Sequence, residues 1–523
     1  MPTPKGTGAP LAPISLVTPG SFGLNKQQQN TVLPPPWATD ATNAVFDNFG
    51  RLTARNGFVS GTTSPMSGTP VIDVLYEYIK ADGTRSILSA GGNKIWSGVG
   101  APSDITGTST ITQGDNWQFI NFHDNVLAVQ QGEQPLLSTG GDFADMVETT
   151  GTAPTGNCGL GSFGRVWIVD SDKQTIKYSD LLDETTWSGG SSGAIDMTSV
   201  WPNGIDEIVA LAAYNGLLVV FGRNTIVFFG DGAGSALGID PANIFVQDTL
   251  SGVGCIARDS VQQIDNGDIL FLSVNGIQSL QRLIQERSNP INNVSKNIRD
   301  YMMDYVNATP TSEIRTVYAP RQGFYLLILP TMSRTFCFDT RVKLQDGSYR
   351  VTEWTNKIKA GVRSNDNTIY LSLSNLGGHI GTYSSYNDRD SSNDPITYDF
   401  RYSSGWLDLG EDFASYIKML KEINGIVFYA SLGNVIQITW SFDFQSIYRA
   451  VSVPFTAAIG SGEWGEGEWG LMEWGGGGSL NKFRVPASGA GQYIRIGVNV
   501  PIDQNTFSLQ QLNLFSKIGR LAN

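Results

Sequence analysis

The chain has 523 residues, a length that allows two to four domains or one large repeat architecture. Charged residues make up 16% of it and aromatic residues 11%, which excludes a disordered chain, because disorder requires much charge and few aromatics. The net charge of −13 argues against a protein that wraps nucleic acid in a basic groove. The 60 glycines, together with the many aromatics, favour an all-β protein of short strands.

The N-terminal segment, residues 1–37, is rich in proline and predicts an extended arm rather than a domain. Its first 14 residues hold a single Lys and lack the apolar run of a signal peptide. The most apolar stretch, residues 208–221, is interrupted by Asn215-Gly216 and is too short to span a bilayer. We therefore expect a chain made in a cytoplasm, without a membrane span.

A pair of closely spaced turns between short apolar runs recurs along the chain about every 40–55 residues. The first turn of each pair lies at Asp82-Gly83, Asp124-Asn125, Phe163-Gly164, Asn215-Gly216, Asn266-Gly267, Gln322-Gly323 and Asp366-Asn367. Asn-Gly and Asp-Gly between apolar runs are strong hairpin signals, because both central residues of the turn need a positive φ. This period is typical of propeller blades. The alternative is a set of unrelated hairpins in a sandwich or barrel.

The predicted architecture is therefore a β-propeller over residues 38–385, with about seven blades and a range of six to eight. Ser295 can cap a short helix over residues 296–306, inserted into one blade. Residues 386–396 are polar and predict a linker. Further strand patterns over residues 397–523 predict a C-terminal β domain resembling a small β-sandwich.

Candidate site residues are few, and each has a structural alternative. His123 and His379, the only histidines, could face each other across a propeller channel or simply lie beside turns. Four linker residues with side-chain oxygens could form a calcium loop, but the segment lacks the glycine and distal glutamate of an EF-hand; they are Asp388, Asp390, Asn393 and Asp394. Residues 179–187 approach a sialidase Asp-box, but the spacing is wrong and the glycine is missing.

The three cysteines, Cys158, Cys255 and Cys337, are too far apart in sequence for a zinc site or a disulfide framework and predict buried free thiols. No complete catalytic triad, metal-ligand set or phosphate loop is present in the sequence. We therefore predict a protein that is not an enzyme and that has no catalytic residues, cofactor or metal.

A Glu-Trp-Gly unit occurs three times with a period of five residues, and its tryptophans are Trp464, Trp469 and Trp474. A period of five matches neither a helix nor a strand. The repeat therefore indicates a loop. Its tryptophans either dock a partner subunit, as Trp often does at interfaces, or pack within the loop itself.

Two N-terminal segments, residues 17–25 and 41–58, resemble the start of the tail nozzle (tail tubular, or stabilisation) proteins of short-tailed bacteriophages. Residues 176–180 with Thr186-Trp187, and residues 405–410 followed by 418–423, add to this resemblance. It implies a propeller-bearing virion protein, assembled in the host bacterial cytoplasm. It also implies a homo-hexameric tail ring that contacts the head-to-tail adaptor and other tail proteins and lets double-stranded DNA pass without specific binding.

Two other classes stay open from the sequence. One is a carbohydrate-binding or glycan-degrading propeller of a phage or bacterium, although carboxylate pairs suited to that chemistry cannot be located from sequence. The other is a bacterial scaffold propeller.

The acidic net charge of the chain suits a conduit past which the phosphates of DNA slide without binding.

Overall fold

The computed structural model describes residues 11–31, 33–109, 111, 116–232, 238–265, 267–286, 293–408, 415–429, 435–446, 448–454 and 479–521. The described residues form a ring of radial sheets and a two-sheet sandwich. The strands that precede the ring are β1 (Ala12–Val17), β2 (Gly23–Leu24), β3 (Trp37–Ala38), β4 (Asp40–Thr42), β5 (Ala44–Phe46), β6 (Leu52–Ala54) and β7 (Phe58–Ser60).

The ring is built from consecutive antiparallel strands. They are β8 (Val74–Ile79), β9 (Arg85–Gly91), β10 (Lys94–Ser97), β11 (Ser103–Asp104), β12 (Gln118–Phe122), β13 (Asn125–Val129), β14 (Leu136–Ser138), β15 (Ala144–Asp145), β16 (Cys158–Ser162), β17 (Arg165–Val169), β18 (Thr175–Tyr178), β19 (Gly193–Asp196), β20 (Ile208–Tyr214), β21 (Leu217–Gly222), β22 (Thr225–Asp231), β23 (Ile244–Ser251), β24 (Gln262–Gln263), β25 (Ile269–Ser273), β26 (Gly276–Ser279), β27 (Arg315–Ala319), β28 (Phe324–Leu329), β29 (Arg334–Lys343), β30 (Tyr349–Trp354), β31 (Ile358–Arg363), β32 (Ile369–Leu373) and β33 (Leu376–Tyr383).

These strands form a β-propeller, which confirms the predicted fold class. Within the described residues six of its units are four-stranded blades, and a three-stranded sheet, β24–β26, stands between the fourth and fifth of them. The first strands of successive units contact one another from β27 through β31, β8, β12 and β16 to β20. Strands β20 and β27 each contact the turn Arg258–Ser260 that leads into β24, and β27 also contacts β24, so the three-stranded sheet stands between them in the ring. The ring closes when β7, from near the N-terminus, pairs with β33 as the outer strand of the last blade.

Local turn chemistry explains why these hairpins form. At Asn215-Gly216 both central residues have a positive φ, +49° and +79°, as the predicted tight turn requires, whereas at Asp82-Gly83 only the glycine does, at +84°. Apolar side chains between the earlier blades form separate small cores. One large core joins the sheets β24–β26 and β27–β30 to the sandwich. Each blade is therefore stabilised by the faces of its two neighbours.

Two α-helices lie between β26 and β27: α1 (Leu280–Glu286) and α2 (Arg299–Asn307). The predicted helix over residues 296–306 corresponds to a 3-10 turn, Lys296–Ile298, that runs into α2. Ile298 and Met302, on the predicted apolar face, are both fully buried. The sequence analysis did not predict α1, which follows β26 without a break.

The sandwich contains the remaining strands. They are β34 (Asp388–Arg389), β35 (Pro395–Ile396), β36 (Tyr398–Ser403), β37 (Tyr416–Tyr429), β38 (Val435–Phe442), β39 (Arg449–Pro454), β40 (Ser479–Pro486), β41 (Ala490–Gly491), β42 (Ile494–Ile502) and β43 (Phe507–Leu521). One of its sheets has the order β40-β37-β43-β6-β5, with β1 beside β43. The other contains β36, β42, β38 and β39, with the hairpin β34–β35 standing before it in the chain.

The N-terminal segment differs from the predicted free arm. Residues 12–17 pair with Gln511–Ser516 of β43, so β1 is a strand of the sandwich. Leu16 is buried while Val17 is 59% exposed, an alternation that places one face of β1 in the core. The prediction failed because the pairing partner lies at the other end of the chain and leaves no local signal.

The boundary predicted at residue 38 also differs from the structure, because residues 38–56 serve the sandwich as well as the ring. Strand β4 pairs in parallel with β30 of the propeller through Thr42 and Glu353. It pairs antiparallel with β36 of the sandwich. One nine-stranded sheet therefore runs from a blade into the sandwich.

The segment predicted as a solvated linker, residues 386–396, is instead held against the propeller. The Arg55 side chain is fully buried, and its guanidinium makes two hydrogen bonds to the carboxylate of Asp388, at 2.8 and 2.6 Å. Gly57 lies so close to Asn387 that a Cβ there would stand 1.8 Å from the Asn387 carbonyl oxygen. One of its carboxylates, that of Asp388, thus neutralises a buried cation.

Candidate functional site

The site that the fold builds most clearly is one mouth of the propeller channel. The segments that lead into the innermost strands meet there, since Arg258 reaches from the turn before β24 to the segments before β12 and β16. Its guanidinium donates to the carbonyl oxygens of Asn116, Trp117 (2.8 Å) and Asn157. One side chain thus ties the three-stranded sheet to the second and third blades.

Arg258 is oriented by the residue that follows it. Both oxygens of Asp259 accept from the Arg258 guanidinium, each at 2.8 Å. Arg315, at the start of β27, lies 2.9 Å from the second Asp259 oxygen and donates to the Asp73 carbonyl of the first blade. We call Arg258, Asp259 and Arg315 the axial clasp.

A second ion group continues the axial clasp toward the last blade. The ammonium of Lys359, on β31, lies 3.3 Å from a carboxylate oxygen of Asp73 and 3.8 Å from one of Glu313. Lys359 and Asp73 are both largely buried, so this pair is less screened by water than an exposed one. The charges at the mouth therefore act between blades rather than toward solvent.

The protonation states of the axial clasp follow from its geometry. Burial alone would raise the pKa of Asp259, but the guanidiniums of Arg258 and Arg315 outweigh it and hold that pKa below its ordinary value. Burial alone would lower the pKa of Arg258, but the negative charge of Asp259 outweighs burial and raises the pKa of Arg258 above its ordinary value. All three groups are therefore charged at neutral pH.

A cavity of about 210 Å³ opens beside the axial clasp. Its charged lining includes Lys173, Glu207 and Arg223, and Glu207 already lies 3.2 Å from the Arg223 guanidinium. Cys158 also lines it, but burial raises the pKa of this thiol to about 12, so it is protonated and a poor nucleophile. Both Glu207 and Asp259, two carboxylates that line the cavity, therefore lie beside an arginine.

The sequence-predicted candidates lie apart from this mouth. The three tryptophans proposed as subunit contacts, Trp464, Trp469 and Trp474, fall outside the described residues. His123 occupies the turn between β12 and β13 at φ +51°, and His379 lies on β33 of the last blade, where burial lowers its pKa. The Nδ1 atom of His379 lies 3.2 Å from the Ser60 hydroxyl in the same blade, and the His123 ring packs against its neighbour Phe122, so these contacts of each histidine lie within its own blade.

The Asp-box-like segment is a structural turn. Asp180 accepts hydrogen bonds from the backbone of Leu181 (2.7 Å) and from Ser191, and Trp187 is buried between the second and third blades. Asp390 likewise accepts from the backbone nitrogens of Ser392 and Asp394. In the part of the chain that is described, no group of three or more His, Cys, Asp or Glu side chains is arranged to hold a metal ion.

Sequence reasoning missed the axial clasp. The only local signal is that Arg258 is the first basic residue after Arg223 and is followed directly by an acidic residue, Asp259. Nothing local to it indicates the blades that it contacts, because Asn116 and Asn157 are more than a hundred residues away in sequence.

The cysteine prediction is confirmed: all three cysteines are buried and unpaired with one another. Neither helix in the described part of the chain is long or apolar enough to cross a bilayer.

Comparisons with known proteins identify no family for this chain. No family model and no curated protein matches the chain. Among solved structures, the chain is similar to YCF48 bound to D1 peptide (9% identity, TM-score 0.37, 63% of this chain and 96% of that one). It is also similar to BamB from Moraxella catarrhalis (10% identity, TM-score 0.36, 72% and 99%) and to a chain of a mitotic checkpoint complex (7% identity, TM-score 0.37, 65% and 96%). These neighbours are propeller proteins of different roles, and at such low identity they indicate no function.

Proposed function

We propose that this chain is a structural subunit of a ring or tube in a bacteriophage tail, a nozzle protein that forms part of the conduit for DNA ejection. The proposal starts from the resemblance of residues 17–25, 41–58 and 405–410 to tail nozzle proteins. It includes a homo-hexameric assembly in the virion tail, in contact with the head-to-tail adaptor and other tail proteins.

The observation that best supports a structural role is the way in which the sandwich and the propeller are joined. A flexible linker between domains permits motion, whereas here one continuous sheet crosses the junction through β4. The buried Arg55–Asp388 pair and the close approach of Gly57 to Asn387 hold the same junction. Such a block transmits force without hinge motion, as a wall under the pressure of a packed genome must.

The channel mouth supports the same proposal. Its acidic side chains, which could serve acid–base chemistry in an enzyme, are engaged between blades, as Asp259 is with Arg258 and Arg315. A carboxylate held ionised by two guanidiniums is a weak base and has no proton to donate near neutral pH. We therefore propose that the charged groups at the mouth stabilise the ring rather than act on a substrate.

The net charge of −13 fits a wall past which DNA moves. Phosphates bind proteins mainly through Lys and Arg, and that binding would retard a passing genome. An acidic surface keeps the duplex away from the wall by like-charge repulsion.

The proposal is tested by imaging the purified chain by negative-stain electron microscopy and locating it in phage particles with a gold-labelled antibody. We expect closed rings or tubes, and label at the tail of the particle. A chain that stays monomeric at all concentrations and is absent from particles would refute the proposal. Specific binding on a glycan array, in the absence of rings, would instead favour the carbohydrate-binding class.

A further inference from the structure

The outer edge of the fourth blade differs from the outer edges of the other blades. Its outermost strand, β23, has eight residues, whereas β11 and β15 have two each, β7 has three and β19 has four. The long outer strand of the next four-stranded blade, β30, is covered by β4. Within the described residues β23 pairs on its inner side with β22 and ends its sheet.

Two of the exposed side chains of β23 are large and apolar, and the other two, Gln247 and Ser251, are polar. Phe245 is 47% exposed and Val246 is 42% exposed, so two neighbouring positions on an open edge present large hydrophobic groups to water. Long hydrophobic edge strands readily accept a further strand, and proteins usually shorten, charge or cover them. This chain covers one such edge itself, at β30, whereas no strand of the described residues lies on the outer side of β23.

The charge around β23 indicates what covers it. Strand β23 itself contains Asp248 and no Lys or Arg, so the strand carries a negative charge. The opposite charge is found on the edge strands of the sandwich, β39 and β40, which contact each other and contain Arg449, Lys482 and Arg484 and no acidic residue.

The basic edge is accessible. Arg484 is 76% exposed, although it also touches Glu422, and Lys482 is exposed beside it. β39 is exposed at most of its positions and pairs with β38 on one side.

We propose that the β23 edge of one copy docks on the basic β39–β40 edge of a second copy of this chain. The inference rests on the proposed function, which supplies the neighbouring copies. Two different edges of the same molecule then meet head to tail, and such a heterologous contact closes into a ring when its rotation allows. Backbone pairing and the apolar pair Phe245 and Val246 supply affinity, while the opposite charges fix the partner and the register.

The test uses the full chain and compares single lysine substitutions by light scattering across a concentration series. Val246→Lys adds a positive charge to the β23 edge and should weaken assembly more than tenfold. The matched control is Val147→Lys, at a position that is 82% exposed and lies off this edge, and it should assemble as the wild type does. Adding Lys482→Glu to Val246→Lys restores the opposite charges and should restore assembly.

A second measurement uses disulfide formation. The native thiols are all buried and should not interfere. Val246→Cys combined with Lys482→Cys should form a disulfide between two copies on mild oxidation. Neither single variant can form this disulfide between residues 246 and 482. Assembly that survives Val246→Lys unchanged, with no cross-link from the paired cysteines, overturns the docking proposal and leaves the proposed function standing. A wild-type chain that never assembles overturns both.

Discussion

Replacing Asp388 by Asn tests whether its charge holds the junction of propeller and sandwich. The Arg55 guanidinium is fully buried and has as its other partners Asn43 Oδ1 at 3.0 Å and the Asn56 carbonyl at 2.9 Å, with the Tyr398 ring 4.1 Å away. None of these neighbours carries a negative charge. Asp388→Asn keeps the shape of the side chain but leaves the buried cation without its counter-charge.

The expected cost follows from this geometry. Breaking a buried ion pair by removing one partner costs about 3–5 kcal/mol of unfolding free energy, because an uncompensated charge stays buried. Asp388 is 16% exposed, so water reaches its side of the pair, and we expect the lower end of that range, about 3 kcal/mol. This corresponds to a change of roughly a hundredfold in the folding equilibrium.

The assay is urea unfolding followed by tryptophan fluorescence, with the midpoint and slope compared between variants. Asp300→Asn is the matched control, because Asp300 pairs with Arg299 on the surface, where the two side chains are 68% and 43% exposed. Exposed pairs contribute about 0–1 kcal/mol, so this control should unfold near the wild-type midpoint. Equal, small effects of the two substitutions would refute the role that we assign to Asp388.

Three further predictions concern the same fold. Gly57→Ala should lower the free energy of unfolding by about 1–3 kcal/mol, because the added Cβ overlaps the Asn387 carbonyl. Gly141→Ala, where the added Cβ meets open space, is the control and should leave the melting temperature unchanged in thermal unfolding. The lowered pKa of Asp259 contributes stability above the pKa of an unfolded Asp, about 3.9, and loses it as pH falls through the folded value. Melting temperatures between pH 6 and pH 3 should therefore fall less steeply in Asp259→Asn, which starts lower at pH 6, and parallel curves would contradict this. Burial raises the pKa of Cys255 to about 11, so a thiol reagent at pH 8 should label it only after denaturant is added, and labelling of the native chain would show an open site.

The sequence could predict what is decided locally. Asn215-Gly216 and Asp82-Gly83 specify their turns within a few residues, and seven such signals at a regular spacing were enough for the propeller. The helix near Met302 was also predictable, because its apolar face repeats within the helix itself.

The rest depends on partners that are distant in the chain. Strand β1 pairs with β43, and β4 pairs with β30 and β36, through backbone hydrogen bonds that any sequence of suitable polarity could make. The axial clasp depends on where the ring brings Arg258, and that position exists only after the blades have closed. The assembly contacts proposed for Trp464, Trp469 and Trp474 stay a prediction, because these residues lie outside the described part of the chain.

Closure by the two ends of the chain has a consequence for biosynthesis. Strand β7 (residues 58–60) completes the last blade by pairing with β33. Strand β1 pairs with β43, which ends at Leu521. At about 5–20 residues per second, β7 lacks its partner β33 for on the order of fifteen seconds to a minute, and β1 lacks its partner β43 for on the order of half a minute to two minutes. The ring can therefore close before β43 has been made, and the sandwich closes later. Nascent copies on one messenger have time to exchange N-terminal strands, and expression at low temperature with slow initiation should raise the yield of correctly closed subunits.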